Sequence, residues 1–246
     1  MGYELRSVSC SYGDRLVLDG ISLGFPERSI TVVLGPSGCG KSTLLNVVAG
    51  LKRIDSGSVM GFETTRFSYA FQEPRLLPWL SARENASFAL LGALPRSEAL
   101  VRVKRFISAA GLAEVSDMLP AALSGGMRQR LSLVRAFAYP SDILLLDEAF
   151  QAVDLRTKLE LIDVFLQLWE EERRTVLCVT HDIEEAVYLA DHIVVLSDRP
   201  ARVIDSFDVE LPREQRSLGA AVLMEAEARL YRAVLGAGES REGGPQ

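Results

Sequence analysis

Hydrophobic and polar positions in this chain follow two rhythms that give way to each other. From Tyr3 to Leu34 the apolar runs are short. Tyr3 to Ser9, Leu16 to Leu18 and Ile21 to Phe25 read as strands, with a turn at Tyr12-Gly13-Asp14 and a stop at Pro26. Ile30-Thr31-Val32-Val33-Leu34 is a nearly unbroken apolar run, as expected of a strand buried on both faces. A helix is expected to follow and to end near Gly50. Ser56 to Gly61 then turns into another strand, and Phe67 to Phe71 is a strand running into Gln72.

From Glu73 to Tyr139 the period becomes helical. Ser97 is expected to cap a helix with Leu100, Val103, Ile107 and Ala110 on one face, closed by Gly111. A second helix starts at Ser124, carries Leu131, Val134 and Ala138, and stops at Pro140. Beyond Pro140 strands (143–146, 176–179, 193–196) alternate with helices. One helix places Leu155, Leu159, Ile162, Leu166 and Trp169 on a single face, and the other spans Ile183 to Ala190. Apolar strands separated by helices imply a parallel sheet covered on both sides, interrupted by a helical insertion. Residues 216–235 have the pattern of a further amphipathic helix, and Gly236 to Gln246 is polar and Gly-rich, with the composition of a flexible tail.

The 246 residues, 48% hydrophobic, suffice for one large core or two modest ones. No apolar run approaches the roughly eighteen residues of a bilayer span. The start Met1-Gly2-Tyr3-Glu4-Leu5-Arg6 has no signal-peptide core, and Arg6 stands where a myristoylation pattern wants Ser or Thr, so a cytoplasmic location is expected. Three cysteines at unrelated spacings argue against a disulfide framework or a zinc site. A net charge of −6 weighs against nucleic acid or anionic lipid as the main partner.

Against that background Gly35-Pro36-Ser37-Gly38-Cys39-Gly40-Lys41-Ser42-Thr43 stands out, because it matches G-x-x-x-x-G-K-[ST] between a predicted strand and a predicted helix. Glycines let the backbone wrap an anion, and the amides at the helix start point at it. Lys41 adds charge for terminal phosphates, and Ser42 offers a hydroxyl to Mg²⁺. Cys39, at a helix start beside Lys41, is expected to have a depressed pKa and to react readily. Asp147-Glu148 places two carboxylates at the carboxyl end of a buried strand, where open α/β sheets bind ligands. Asp147 suits Mg²⁺ held through water, and Glu148 suits a base for water attacking a γ-phosphate. His181, one of two histidines, also follows a strand. On spacing alone it is either a ligand residue or an ordinary capping-region residue, and Gln72 has the same two readings. Tyr12 is an exposed turn aromatic or a stacking platform for a purine. Ser124-Gly125-Gly126 is a linker-like triplet or a second anion-binding helix start.

Taken together, these residues resemble the ATP-binding subunits of ABC transporters over roughly residues 3–210. Gly35 to Thr43 looks like the Walker A loop, Gln72 the Q-loop, and Leu123 to Met127 the signature motif. Asp147-Glu148 looks like the Walker B end, Val153-Asp154 the D-loop and His181 the switch histidine. The resemblance implies an α/β P-loop NTPase (RecA-like) core with a parallel sheet, a small antiparallel β subdomain and an inserted α-helical subdomain. The core with its β subdomain would be 1–72 and 140–210, the helical subdomain 73–139, and the C-terminal helix and tail 211–246. It also implies ATP and Mg²⁺, with Lys41, Gln72, Glu148 and His181 in catalysis and Ser42, Gln72 and Asp147 at the metal. Nucleotide contacts would come from Tyr12, Gly35 to Thr43 and Asp154, with Ser124, Gly125 and Gly126 supplied in trans by a second copy packed head to tail.

Phe71 to Trp79 and Asp182 to Asp191 resemble the nitrate, sulfonate and taurine importer branch. The implied setting is the cytoplasmic face of the cell membrane, with two permease subunits as partners, a solute-binding protein acting indirectly, and no nucleic acid. Leu76, Leu77 and Trp79 would either receive a permease helix or close the helical subdomain's own core. Three departures from the family pattern are visible. The 51–71 segment is short, which predicts an antiparallel subdomain with fewer hairpins. Ala149 and Gln151 replace the usual Pro and small residue after Walker B, which bears on the D-loop. Leu119-Pro120-Ala121-Ala122 replaces the usual approach to the signature. A soluble ABC-type ATPase or a nucleotide-dependent regulator without a permease is the alternative function.

Overall fold

The computed structural model describes residues 2–151, 154–213, 216 and 226–232. Two compact units account for the chain: Met1–Thr65 with Thr175–Gln246, and Arg66–Arg174.

In the first unit, β1 (Tyr3–Tyr12) and β2 (Arg15–Phe25) form a hairpin in which Tyr12 faces Arg15. Gly13, at φ +58°, supplies the left-handed residue of the turn. The strand expected to break between Leu18 and Ile21 is continuous, because Gly20 donates to the Ser9 hydroxyl (3.0 Å) and the irregular register is absorbed in the ladder. After β3 (Ile30–Leu34) and α1 (Lys41–Val48), β4 (Ser56–Met60) adds to β1, giving an antiparallel sheet in the order β2-β1-β4.

The second unit opens with β5 (Phe67–Phe71) and continues through α2 (Ala82–Phe88), α3 (Arg96–Ala109), α4 (Gly125–Ala138), β6 (Ile143–Asp147) and α5 (Leu155–Glu171). Both strands and α5, assigned by sequence to the core, therefore group with the helical segment. Helix α3 is entered from Pro95, with no side-chain cap, where Ser97 had been expected to cap it. Pro95 is itself extended (φ −56°, ψ 142°), so the helix begins at Arg96 directly after it. The buried face of α5 is Leu161, Ile162, Phe165, Leu168 and Trp169, while Leu155 is 64% exposed. The face is thus turned toward the aromatic series Phe106, Phe137, Phe165, Phe150, whose successive ring centroids lie 6.1, 5.7 and 5.5 Å apart.

The chain then returns to the first unit with β7 (Thr175–Thr180), α6 (Ile183–Leu189), β8 (His192–Leu196) and β9 (Val203–Asp208). The buried β3 runs parallel between β7 and β8, and β9, which the sequence did not suggest, closes the edge antiparallel to β8. Its half-buried, exposed alternation is that of an edge strand rather than of an all-apolar core strand. Of the expected C-terminal helix, 226–232 is helical. Its remainder outside Arg216, the tail and Val153 lie outside the described residues. Among the described residues no helix is long and apolar enough to cross a membrane.

Candidate functional site

The register of the first unit brings two of the expected residues' segments together. Leu34 pairs with Thr180, so the phosphate-type loop and His181 leave adjacent parallel strands at their carboxyl ends, and the Gly35 amide donates to Thr180 O at 3.3 Å. His181 is exposed there, ahead of α6, whose cap Asp182 accepts from the Glu185 amide (2.9 Å). Gly40, at φ +133°, is the N-cap of α1, and a Cβ there would come within 2.9 Å of Val17 Cγ1. Any side chain would push the helix start away from β2. The buried Lys41 ammonium donates to Gly35 O (2.9 Å) and Pro36 O (3.0 Å), so it holds the loop's own carbonyls where a phosphate oxygen would replace them. Ser37, Gly38, Ser42 and Thr43 complete the loop and first turn.

Cys39 does not behave as expected from its position. It is 2% exposed, and burial pushes its thiol up despite the lowering influence of Lys41. The reactive-thiol expectation is therefore corrected. The loop folds the side chain inward toward Gly35, and desolvation of the thiolate outweighs a nearby cation. Tyr12 is half exposed at the hairpin turn, with Lys52 Nζ 4.3 Å from its ring centroid.

The second unit places a separate set of the expected residues. Phe71 pairs with Asp147 in the parallel β5–β6 ladder, so Gln72 and Asp147-Glu148 emerge side by side. Glu148 sits at φ +48°, a left-handed conformation uncommon for a residue with a side chain. A turn in which the Gln151 amide donates to Glu148 O (3.1 Å) holds it there. Strain of this kind concentrates at functional positions. Ala149 and Phe150 behind it are buried.

Ser124 caps α4 by accepting from the Met127 amide (3.2 Å). With Gly126, Arg130, Asp154, Thr157 and Glu160 it lines a cleft of about 550 Å³. A Cβ on Gly126 would lie 2.8 Å from Thr157 Cγ2, so the glycine is required by close approach to α5. Asp154 caps α5, accepting from the Thr157 amide (3.1 Å) and hydroxyl (2.7 Å). Trp79 is 70% exposed on a loop that Asn85 pins through Leu77, Leu80 and Ser81.

Four supporting residues were not read from the sequence. Gln129, buried, donates its amide to Gln72 O (3.0 Å) and Ala149 O (2.6 Å), tying α4 to both neighbouring loops. A glutamine on the buried side of an amphipathic helix was the available signal. Arg199 donates to Gly38 O, and Lys52 covers Tyr12. Tyr69 donates to Asp147 Oδ2 at 3.1 Å, its phenol pushed well above its ordinary range by burial and then by that carboxylate. None of these three has a local sequence signature.

A parallel α/β unit with a glycine-lysine loop at a strand end, and a second unit with an Asp-Glu strand end and a serine-glycine helix start, define a phosphate-loop nucleotide-binding protein. Residues 18–151 match the ABC transporter family. The chain is 43% identical over 228 residues, covering 89% of it and 82% of the relative, to the aliphatic sulfonates import ATP-binding protein SsuB 2 of Burkholderia lata. It is 39% identical over 238 residues, 95% and 89% of the two chains, to SsuB 1 of Mesorhizobium japonicum. The solved dimeric structure of MJ0796, a bacterial ABC transporter cassette, superposes with a TM-score of 0.73 at 28% identity, covering 85% of this chain and all of that one. The chain belongs to the ABC transporter family, as its ATP-hydrolysing cassette.

Proposed function

We propose that the chain is the ATP-hydrolysing subunit of an importer, driving uptake of a small anionic solute of the sulfonate, nitrate or taurine kind through a partner permease. The observation that carries this is the 43% identity, over most of both chains, to a sulfonate import ATP-binding protein. The phosphates of ATP lie along the amides of Gly35 to Thr43 with Lys41 on the terminal groups, and Tyr12 stacks on the base. Water attacks the γ-phosphorus in line. The new oxygen–phosphorus bond forms as the bond to the β–γ bridging oxygen breaks, and the water proton passes to the Glu148 carboxylate. His181 and Gln72 each follow the end of a parallel strand in its own unit, suited to sensing the γ-phosphate and the attacking water.

Ser42, Asp147 and Gln72 offer hydroxyl, carboxylate and amide oxygens, the hard donor set that suits Mg²⁺. When bound, the ion neutralises phosphate charge. The cleft at Ser124, Gly125 and Gly126, with Asp154 at its edge, is open to a second copy, whose ATP it would complete in trans. Cassette dimerisation in the MJ0796 relative supports that arrangement. Exposed Trp79, beside half-buried Leu76 and Leu77, suits a permease coupling helix as an aromatic anchor. Two permease subunits would hold the dimer at the cytoplasmic face of the membrane, with a solute-binding protein acting from the other side.

The test is purification of the tagged chain from detergent-solubilised membranes, followed by reconstitution with its co-purified subunits. Two membrane subunits and ATP hydrolysis that rises with an aliphatic sulfonate and its binding protein are expected. A chain that hydrolyses ATP yet brings down no membrane subunit sinks the importer reading.

A further inference from the structure

We infer that Tyr69 is a positioning residue for Asp147, fixing the carboxylate that faces the nucleotide's divalent cation. This rests on the nucleotide-site reading above. Position 69 lies on β5, two residues before the strand's end, and pairs with Leu145 on β6. Its side chain reaches along the sheet to the next strand end, where the hydroxyl donates to Asp147 Oδ2 at 3.1 Å. The ring cannot swing freely. It stacks on Phe71, centroids 4.1 Å apart and planes 16° from parallel, and the Arg75 guanidinium carbon lies 3.9 Å from the same Phe71 centroid. Arg75 in turn is held in a left-handed conformation (φ +46°) beside Pro74, and the Pro74 and Arg75 carbonyls both accept from Arg135 at 2.7 Å. A hydroxyl on an immobilised ring thus anchors one oxygen of a carboxylate at the mouth of the sheet.

The physical consequence is preorganisation. A carboxylate on a strand end rotates about its χ2 torsion, and an ion that needs it in one orientation pays for that ordering unless a neighbour has already imposed it. Tyr69 imposes it from the strand that leads into Gln72, so that strand and the Asp147 carboxylate are joined through a side chain as well as through the β5–β6 ladder. The hydroxyl touches neither phosphate nor water on this account. Its removal therefore weakens cation binding without weakening binding of the metal-free nucleotide.

The experiment uses the full chain and Tyr69→Phe, which keeps the ring and its stack. Mn²⁺ binding to the ADP-loaded protein is followed by electron paramagnetic resonance, and fluorescent ADP binding is followed in excess EDTA. About a tenfold loss of Mn²⁺ affinity is expected, the range seen when an outer partner of a metal-holding group is removed. EDTA-phase nucleotide affinity and the thermal midpoint should stay at wild-type values. Unchanged Mn²⁺ affinity overturns the proposal, as does an equal fall in metal-free nucleotide affinity, which would place the hydroxyl's effect on the phosphate loop. Failure of the wild-type chain to bind Mn²⁺ with ADP at all overturns the nucleotide-site reading itself and this inference with it.

Discussion

Glu172 follows the last turn of α5, where a carboxylate opposes the helix dipole, yet four hydrogen bonds from three arginines hold it there. Arg102 Nη1 donates to one oxygen and Arg174 Nη2 to the other, each at 2.6 Å, and Arg105 adds a further ion pair. Two of these arginines also satisfy the end of α4. Arg102 reaches Ala138 O (2.6 Å) and Phe137 O (3.2 Å), and Arg174 reaches Tyr139 O and Phe137 O, both at 2.7 Å. Glu172 thus neutralises the cations that cap a neighbouring helix. Burial alone would raise its pKa, but the hydrogen bonds from Arg102, Arg174 and Arg105 together bring it down to about 2.

Glu172→Gln tests the size of this. The drop from 4.5 to about 2 corresponds to about 3 kcal/mol at about 1.4 kcal/mol per pKa unit. Arg174 offsets part of it, because burial outweighs Glu172 and leaves that guanidinium below its ordinary value. A loss of about 2 kcal/mol at pH 7 is therefore expected. The folded-state pKa is depressed, so the stabilisation is complete above the unfolded value of 4.5 and is lost as pH falls toward 2. Urea unfolding of wild type and variant at steps from pH 7 to pH 3 should show the gap between them closing below about pH 4.5. A gap that is the same at pH 7 and pH 3, or absent at pH 7, refutes the argument that the charge is what stabilises this corner.

Glu148→Gln is expected to lower ATP turnover by at least about a hundredfold while ATP still promotes dimerisation, as read by steady-state hydrolysis and size-exclusion chromatography; unchanged hydrolysis would remove Glu148 as the base. Cys39, buried with a raised pKa, should react with iodoacetamide far more slowly than a free thiol even without nucleotide, and rapid labelling of the apo chain would contradict its inward placement. Gly126→Ala should impair ATP-driven dimerisation by forcing α5 away, and adding Thr157→Ser, which removes Cγ2 and keeps the hydroxyl that bonds Asp154, should restore it. If the double variant stays as impaired as the single one, the close approach is not the reason for the glycine.

The alternation of short strands with helices, the Gly35–Thr43 loop, the Ser124 cap and the Asp-Glu strand end were all legible along the chain. Each depends on residues within a few positions of one another: glycines free to turn, a lysine at a helix start, a hydroxyl three residues before an amide. Periodicity also located most elements, and it erred where a face or edge depends on distant partners. The α5 stripe is turned toward Phe137 and Phe150, and β9 forms because β8 offers it an edge.

What the amino-acid order settled by itself was the kind of chemistry and the sequence of its motifs, because local backbone geometry and residue type suffice for an anion cradle. Only the tertiary structure decided which side chains hold those motifs in place. Gln129 meets Gln72 across 57 positions, Tyr69 meets Asp147 across 78, and Arg102 meets Glu172 across 70. Packing also buried the Cys39 thiol that its local surroundings would have activated. Hydrogen-bond partners and desolvation at such separations are set by how the strands and helices pack, and no spacing along the chain encodes them.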